Sequence, residues 1–186
     1  MSRLTIYADD YSGKPEVLTN HAEIARRLRK VGVQFERWLA DKVLPVDADQ
    51  ETVLKAYKTS VDRLNREYGF KSIDVVSLRP DHPKKDEMRQ KFLNEHTHDD
   101  FEVRFFVDGS GLFYLHIDDK VYMVLCEQGD LISVPAKVTH WFDMGAQPNF
   151  KCIRFFVVPE GWVGNFTGSD IARRFPDFDR HAAASA

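Results

Sequence analysis

His96 and His98 stand one residue apart, Glu102 follows four residues after the second, and Arg104 lies two further on. In an extended chain successive side chains alternate between faces. His96, His98, Glu102 and Arg104 would then share one face, while Phe101, Val103 and Phe105 take the other. Two imidazoles and a carboxylate supply most of a coordination sphere for a mid-row divalent cation such as Fe(II), Ni(II), Mn(II), Co(II) or Zn(II). The best fourth donor is His140, in the stretch Val134-Pro135-Ala136-Lys137-Val138-Thr139-His140-Trp141. No thiolate joins this set, which disfavours a closed structural zinc site. Four protein donors in an octahedral field leave two positions for water or a chelating substrate.

Arg104 is the most informative residue beside the ligands. A guanidinium inside an apolar strand needs an anion. It can be an ionised substrate, for which Arg104 would be a catalytic and binding group, or a nearby acid in a structural ion pair. Arg154, in Cys152-Ile153-Arg154-Phe155-Phe156, raises the same choice. Phe92, Phe105, Phe142 and Trp162 are candidates for the wall of an apolar substrate pocket, although each is a large side chain that serves a core equally well. Asp99 and Asp100 read as turn residues; for Glu95 the choice is between orienting a ligand and an exposed acid at a helix end, and the second is the better reading. His21, His82, His116 and His181 read as surface or structural histidines. Cys126 and Cys152 lie in apolar runs with no neighbouring base, so they read as small core residues rather than nucleophiles.

The elements that must carry these residues are legible from periodicity. Residues 3–8 read as a strand. Asn20 caps a helix over about 21–31, and Gly32 ends it. Residues 33–38 alternate as a strand. A second helix starts at Asp47 or Asp49, buries Val53, Ala56, Tyr57, Val61, Leu64 and Tyr68, and stops at Gly69. Residues 72–78 form a strand, and 83–94 a helix with Met88, Phe92 and Leu93 inward. From about residue 95 short strands follow one another, broken by turn signals. Strands 101–108 and 112–117 flank a turn at Gly109-Ser110-Gly111, and strands 121–127, 131–134, 139–143 and 150–158 follow. A short helix is expected near 170–175, and the final Ala-Ala-Ala-Ser-Ala reads as an unstructured tail. The expected class is α+β, mainly β, as one domain over 1–186. An N-terminal layer of helices and strands (1–94) packs on an antiparallel barrel (95–160), and a C-terminal segment (161–186) follows.

Composition bounds the partners. The 186 residues carry a formal net charge of −3, with a pI near 6.2. That gives no electrostatic case for nucleic acid or an anionic membrane. The basic cluster at Arg26-Arg27-Leu28-Arg29-Lys30 reads as the solvated face of a helix. No apolar run approaches the roughly 20 residues of a membrane span. No signal-peptide pattern is visible, and the cysteine usage fits a reducing cytosol. Nothing in the sequence demands more than a monomer.

Two longer patterns carry a resemblance. His96-x-His98-x3-Glu102-x6-Gly109 is similar to the first motif of the cupin superfamily, except that Gln90 stands at the leading glycine. Gly129-x5-Pro135-x4-His140 is similar to the second, with Lys137 at a usual glycine and Met144 at a common asparagine. The glycine departure implies a turn at Lys137 that differs from the usual one. The stretches 91–98, 102–107, 129–135 and 140–145, with Phe35-Glu36-Arg37-Trp38 and Pro159-Glu160-Gly161-Trp162, closely resemble the acireductone dioxygenase family of methionine salvage. The resemblance implies a cupin-type jelly-roll barrel with helices packed against it. It also implies a metal held by His96, His98, Glu102 and His140, either Fe2+ or Ni2+.

Its implied substrates are O2 and the acireductone 1,2-dihydroxy-5-(methylthio)pent-1-en-3-one. With iron the family forms 4-methylthio-2-oxobutanoate and formate. With nickel it forms 3-(methylthio)propanoate, formate and carbon monoxide. Two rivals stand beside this expectation: another cupin dioxygenase with the same three-histidine, one-glutamate set, and a non-catalytic metal-binding cupin.

Overall fold

The computed structural model describes residues 1–158, 160, 161 and 163–183. In chain order the elements are β1 (Arg3–Ala8), β2 (Glu16–Leu18), α1 (His21–Arg29), β3 (Gln34–Arg37), α2 (Gln50–Ala56), α3 (Lys58–Tyr68), β4 (Ser72–Leu78) and α4 (Lys85–Phe92). Then come β5 (His96–Thr97), β6 (Glu102–Ile117), β7 (Lys120–Glu127), β8 (Asp130–Val134), β9 (Thr139–Asp143), β10 (Phe150–Phe156) and β11 (Asn165–Phe166). A 3-10 turn at Ile171–Arg174 and α5 (Phe178–Ala183) complete the described chain.

Every strand pairing is antiparallel. One sheet runs β11-β5-β9-β6-β7-β1-β2, and the other runs β4-β10-β6-β8-β3. They share β6 and form the two sheets of the expected jelly roll. The sequence suggested a hairpin at Gly109-Ser110-Gly111, but β6 runs through it as one strand of 16 residues. The glycines bend the strand rather than reverse it. Gly109 has φ +72, and a Cβ there would lie 1.8 Å from the Asn149 carbonyl oxygen. A Cβ on Gly111 would lie 2.3 Å from the Phe142 ring. Before the bend β6 pairs with β10 and β8, and after it with β7 and β9. The register against β10 slips between Lys151 and Cys152, so one residue of β6 is extra there, and such bulges sharpen strand twist. The slip also reverses side-chain parity. Phe106 points inward before it, while Phe113 and Leu115 point inward after it.

Three apolar layers follow. The barrel interior holds Phe106, Phe113, Cys126, Phe142, Phe150 and Cys152, and α1 closes its lower side with Ile24 and Leu28. Asn20 caps α1 by accepting from the Glu23 amide. Outside β10, β6 and β8, the helices α2 and α3 bury Val53, Tyr57, Val61 and Leu64 against Val103, Phe105 and Phe155. The single helix expected there is divided at Tyr57, which leaves α geometry at φ −104, ψ 15. Its ring meets Phe105 edge-on at 5.2 Å. Asp49 caps α2, and Gly69 ends α3 in the left-handed region. Outside the other sheet, Ile171 and Phe175 cover Leu112, Tyr114, Met123 and Trp141. Ala182 and Ala183, expected in a loose tail, belong to α5; the last three residues lie outside the described ones.

Candidate metal centre

The four expected donors meet at one end of the barrel, between the two sheets. His96 on β5 faces His140 on β9 as a Cα pair. Glu102 comes from the other sheet, where it opens β6 opposite Val134. The stretch 96–104 is therefore not one extended strand. It bends at Asp99-Asp100, and the bend carries the chain from one sheet to the other. All four donors are buried, and one ligating atom from each lies within 4.8 Å of the others. Among the described residues they form the group of this kind that can hold a metal ion.

The hydrogen bonds fix how the imidazoles point. His96 Nδ1 is 2.7 Å from the Asn94 carbonyl oxygen, His98 Nδ1 is 2.8 Å from that of Val163, and His140 Nδ1 is 2.8 Å from that of Val138. A carbonyl only accepts, so each Nδ1 carries the proton and each Nε2 presents a lone pair. That is the arrangement metal-ligating histidines use. Glu102 Oε2 lies 2.7 Å from His140 Nε2 and 3.1 Å from His98 Nε2. Lone pairs and a carboxylate this close are mutually repulsive unless a cation or protons sit among them. The residues present thus fit a divalent cation in both donor type and direction.

The electrostatics follow the same pattern. Burial alone would raise the Glu102 carboxyl, but Arg104, His140 and His98 together hold it well below the usual carboxylate range. Burial, with His140 beside it, pushes His96 down to about 4. Burial also works against protonation of His98, yet Glu102 outweighs it and the net shift is upward.

Arg104 has an anion, and it is a metal-site residue: its Nη2 lies 2.5 Å from Glu102 Oε1. Its guanidinium is caged by Phe142, Phe113 and Phe92, with ring centroids 4.9, 5.4 and 5.8 Å from Cζ. Its Nε is buried without a hydrogen-bond partner. Arg154 pairs with Arg104 in register but gives both forks to Asp74, at 2.8 and 2.7 Å.

Other expectations resolve individually. Phe92 and Phe142 stand edge to face beside Arg104. Phe105 does not reach that space. It points out of the barrel, its ring tilted against Trp38 with centroids 4.8 Å apart, because it has the parity opposite to Arg104. Trp162 lies outside the described residues. Lys137 was expected to alter its turn, but it adopts φ +68, the conformation a glycine would take. Its amide donates to the His98 carbonyl and its ammonium pairs with Asp99.

Glu95 is not an exposed helix-end acid. It is 4% exposed and accepts from Thr167 Oγ1 at 2.8 Å, with His116 Nδ1 also 2.8 Å away. Asp100 is equally buried and accepts from the Val157 and Val158 amides at 2.6 and 2.8 Å. His181 is buried too, with its Nε2 accepting from Arg3 Nε at 3.2 Å. The sequence offered little signal for these three. Only an acid directly before a ligand histidine, and a second acid two after the other, hinted at support for the ligands.

The comparisons with known proteins agree with this geometry. A family model described as the ARD/ARD' family matches residues 3–164. An acireductone dioxygenase of Methylococcus capsulatus is 57% identical, over 98% of this chain and all of that one. One from Hydrogenobaculum is 59% identical, over 96% of this chain and 97% of the relative. Among solved structures, an acireductone dioxygenase from Bacillus anthracis with cadmium ion in its active center superposes with TM-score 0.79. It is 30% identical, covering 89% of this chain and 98% of that one. Matched along nearly its whole length in sequence, and by a solved structure in fold, this chain belongs to the ARD/ARD' family.

Proposed function

We propose that the chain is a metal-dependent dioxygenase that uses O2 to cleave 1,2-dihydroxy-5-(methylthio)pent-1-en-3-one in methionine salvage. The observation that carries the reading is the convergence of three carbonyl-locked imidazoles on Glu102. Family membership supplies the substrate. His96, His98, Glu102 and His140 would hold Fe2+ or Ni2+, one per chain. Bound there, the metal supplies Lewis acidity and a template for a chelating enediol.

The remaining residues give that chemistry its setting. Arg104 keeps Glu102 ionised and places a fixed positive charge beside the donors, which favours an ionised enediol over the neutral one. Its caging rings, Phe92, Phe113 and Phe142, exclude water, so the charge acts at low dielectric. Phe92 and Phe142 also offer apolar surface for a methylthio group. Arg154, held by Asp74 and on the strand beside Arg104, would orient Arg104 or the substrate. The family products make the metal the selector: a 2-oxo acid and formate with iron, and a shorter acid, formate and carbon monoxide with nickel. We read the chain as one cupin-type domain acting as a monomer in the cytoplasm on a small molecule, without nucleic-acid or membrane partners. The modest net charge supports this, and among the described residues no helix is long and apolar enough to cross a membrane.

The test is elemental analysis of the purified protein, then anaerobic mixing with the acireductone followed by air. The enediol ultraviolet band should persist without oxygen and decay when air enters. A band that is stable in air, with metal bound, would overturn the reading. Identical products from protein loaded only with iron and only with nickel would remove the selector role of the metal.

A further inference from the structure

The three ligand histidines are not held in the same way. His96 and His140 bond carbonyls two residues earlier, Asn94 and Val138, just ahead of β5 and β9. His98 bonds Val163, 65 residues away. Val163 belongs to the chain that returns past the site after β10. That return is fastened on both sides by carboxylates flanking the ligand pair. On one side Asp100 Oδ2 takes the Val157 and Val158 amides, and its Oδ1 takes the Phe101 amide. Gly161 packs so close to Asp100 that a Cβ would lie 2.7 Å from Oδ2. On the other side Glu95 takes Thr167 Oγ1, its carbonyl takes the Thr167 amide, and β11 pairs with β5. Between the fastenings, Gly164 lies against the His96 ring and Phe166 stands 5.5 Å from it.

We propose that Asp100 and Glu95 are positioning residues that act through the returning chain: by fixing Val163, they set the tautomer of His98 alone among the ligand histidines. The physical reason is reach. A carbonyl two residues away moves with its histidine, so His96 and His140 carry their own orienting partner. His98 faces solvent-side chain that would wander without its two buried fastenings, each of which costs free energy to leave unpaired. Replacing Asp100 by asparagine keeps size but turns one acceptor oxygen into a donor facing an amide. Thr167→Val keeps shape and removes the hydroxyl that is donated to Glu95 and also accepts from the Ser169 amide.

The purpose of this device rests on the metal reading above, but its test does not need oxygenase activity. In metal-free protein labelled with 15N-histidine, long-range proton–nitrogen correlation reads each tautomer. Wild type should show Nδ1–H for His96, His98 and His140. Asp100→Asn should leave His96 and His140 unchanged while His98 becomes mixed or reversed. Thr167→Val should move His98 in the same direction by less. Affinity for Ni2+ or Fe2+ should fall about 10- to 100-fold in Asp100→Asn, the range for loss of an orienting partner. If Asp100→Asn does not fold, Thr167→Val carries the test alone. An unchanged His98, or equal change at all three histidines, overturns the proposal.

Discussion

Asp143 and Glu102 are buried carboxylates that each face an arginine, and they are built to opposite standards. Asp143 at the end of β9 takes Arg89 Nε and Nη2 at 2.7 and 3.0 Å, the Gly145 amide at 2.9 Å and the Phe178 amide at 2.8 Å. Every donor aimed at it is matched, and it ties α4, β9 and α5 together. Glu102 has Arg104 on one oxygen and two imidazole nitrogens on the other, and both its Oε1 and Arg104 Nε lack a hydrogen bond. A saturated network of this kind rigidifies a fold. An unsaturated one, with lone pairs converging on a carboxylate, is completed by a ligand.

The difference can be broken or sharpened by substitution. Glu102→Ala should have the largest functional effect. It removes one donor outright, so metal affinity should fall by more than about 100-fold, beyond what losing an outer partner gives. Stability of the metal-free protein should change less, because the cost of leaving Arg104 buried without its anion is offset by relief of the carboxylate's contacts with the two imidazole lone pairs. Metal titration and urea unfolding of apo protein read the two quantities. A large loss of apo stability would put Glu102 in the same class as Asp143.

Asp143→Ala should do the reverse. It leaves two amides without partners and Arg89 with only the more distant Asp179, 3.6 Å away, at a cost of about 3–5 kcal/mol, while each folded molecule still binds metal. Urea unfolding alongside metal titration checks this. Intact stability would mean that the C-terminal helix is not anchored there.

The Asp143 region should also show a pH dependence of its own. His181 on α5 is pushed down to about 4 by burial and by Arg3, and its Nε2 must stay unprotonated to accept from Arg3. The unfolded chain binds this proton near pH 6.5, whereas the folded chain does not until near pH 4. Stability should therefore fall as pH drops through that window and level off below it. His96 adds to the same trend in metal-free protein, so the comparison is between wild type and His181→Gln, both loaded with metal. The variant should lose less Tm between pH 7 and 5. Parallel curves would assign the slope elsewhere.

The smallest effect is expected at Lys137→Gly. A side chain in the left-handed region costs roughly 1 kcal/mol relative to glycine, partly offset by glycine's greater chain entropy and by loss of the exposed pair with Asp99. A Tm shift of a few degrees or less, with unchanged metal affinity, would show that Lys137 tunes the turn and not the site. A large loss of affinity would instead tie the Lys137 amide, through the His98 carbonyl, to the ligand set.

Much of the site was legible because metal chemistry restricts residue types. Two histidines, a glutamate and a later histidine after a proline turn need no partner to be recognised. The helix caps at Asn20 and Asp49 and the stop at Gly69 were legible for a similar local reason. The glycines at 109 and 111 misled, because a turn and a bend ask for the same residue. Only Asn149 and Phe142, brought there by other strands, decide which one forms.

The sequence by itself determined the donor set, the alternation that makes the strands and the apolar faces that drive the layers together, since these follow from residue type and period. Tertiary structure alone decided the rest. It set the bend at Asp99-Asp100 that lets one short stretch serve two sheets. It also set the pairing of Arg104 with Glu102, the outward turn of Phe105 and the burial of Glu95 and Asp100. Each depends on what arrives from a distant part of the chain, and local propensity carries no information about that arrival.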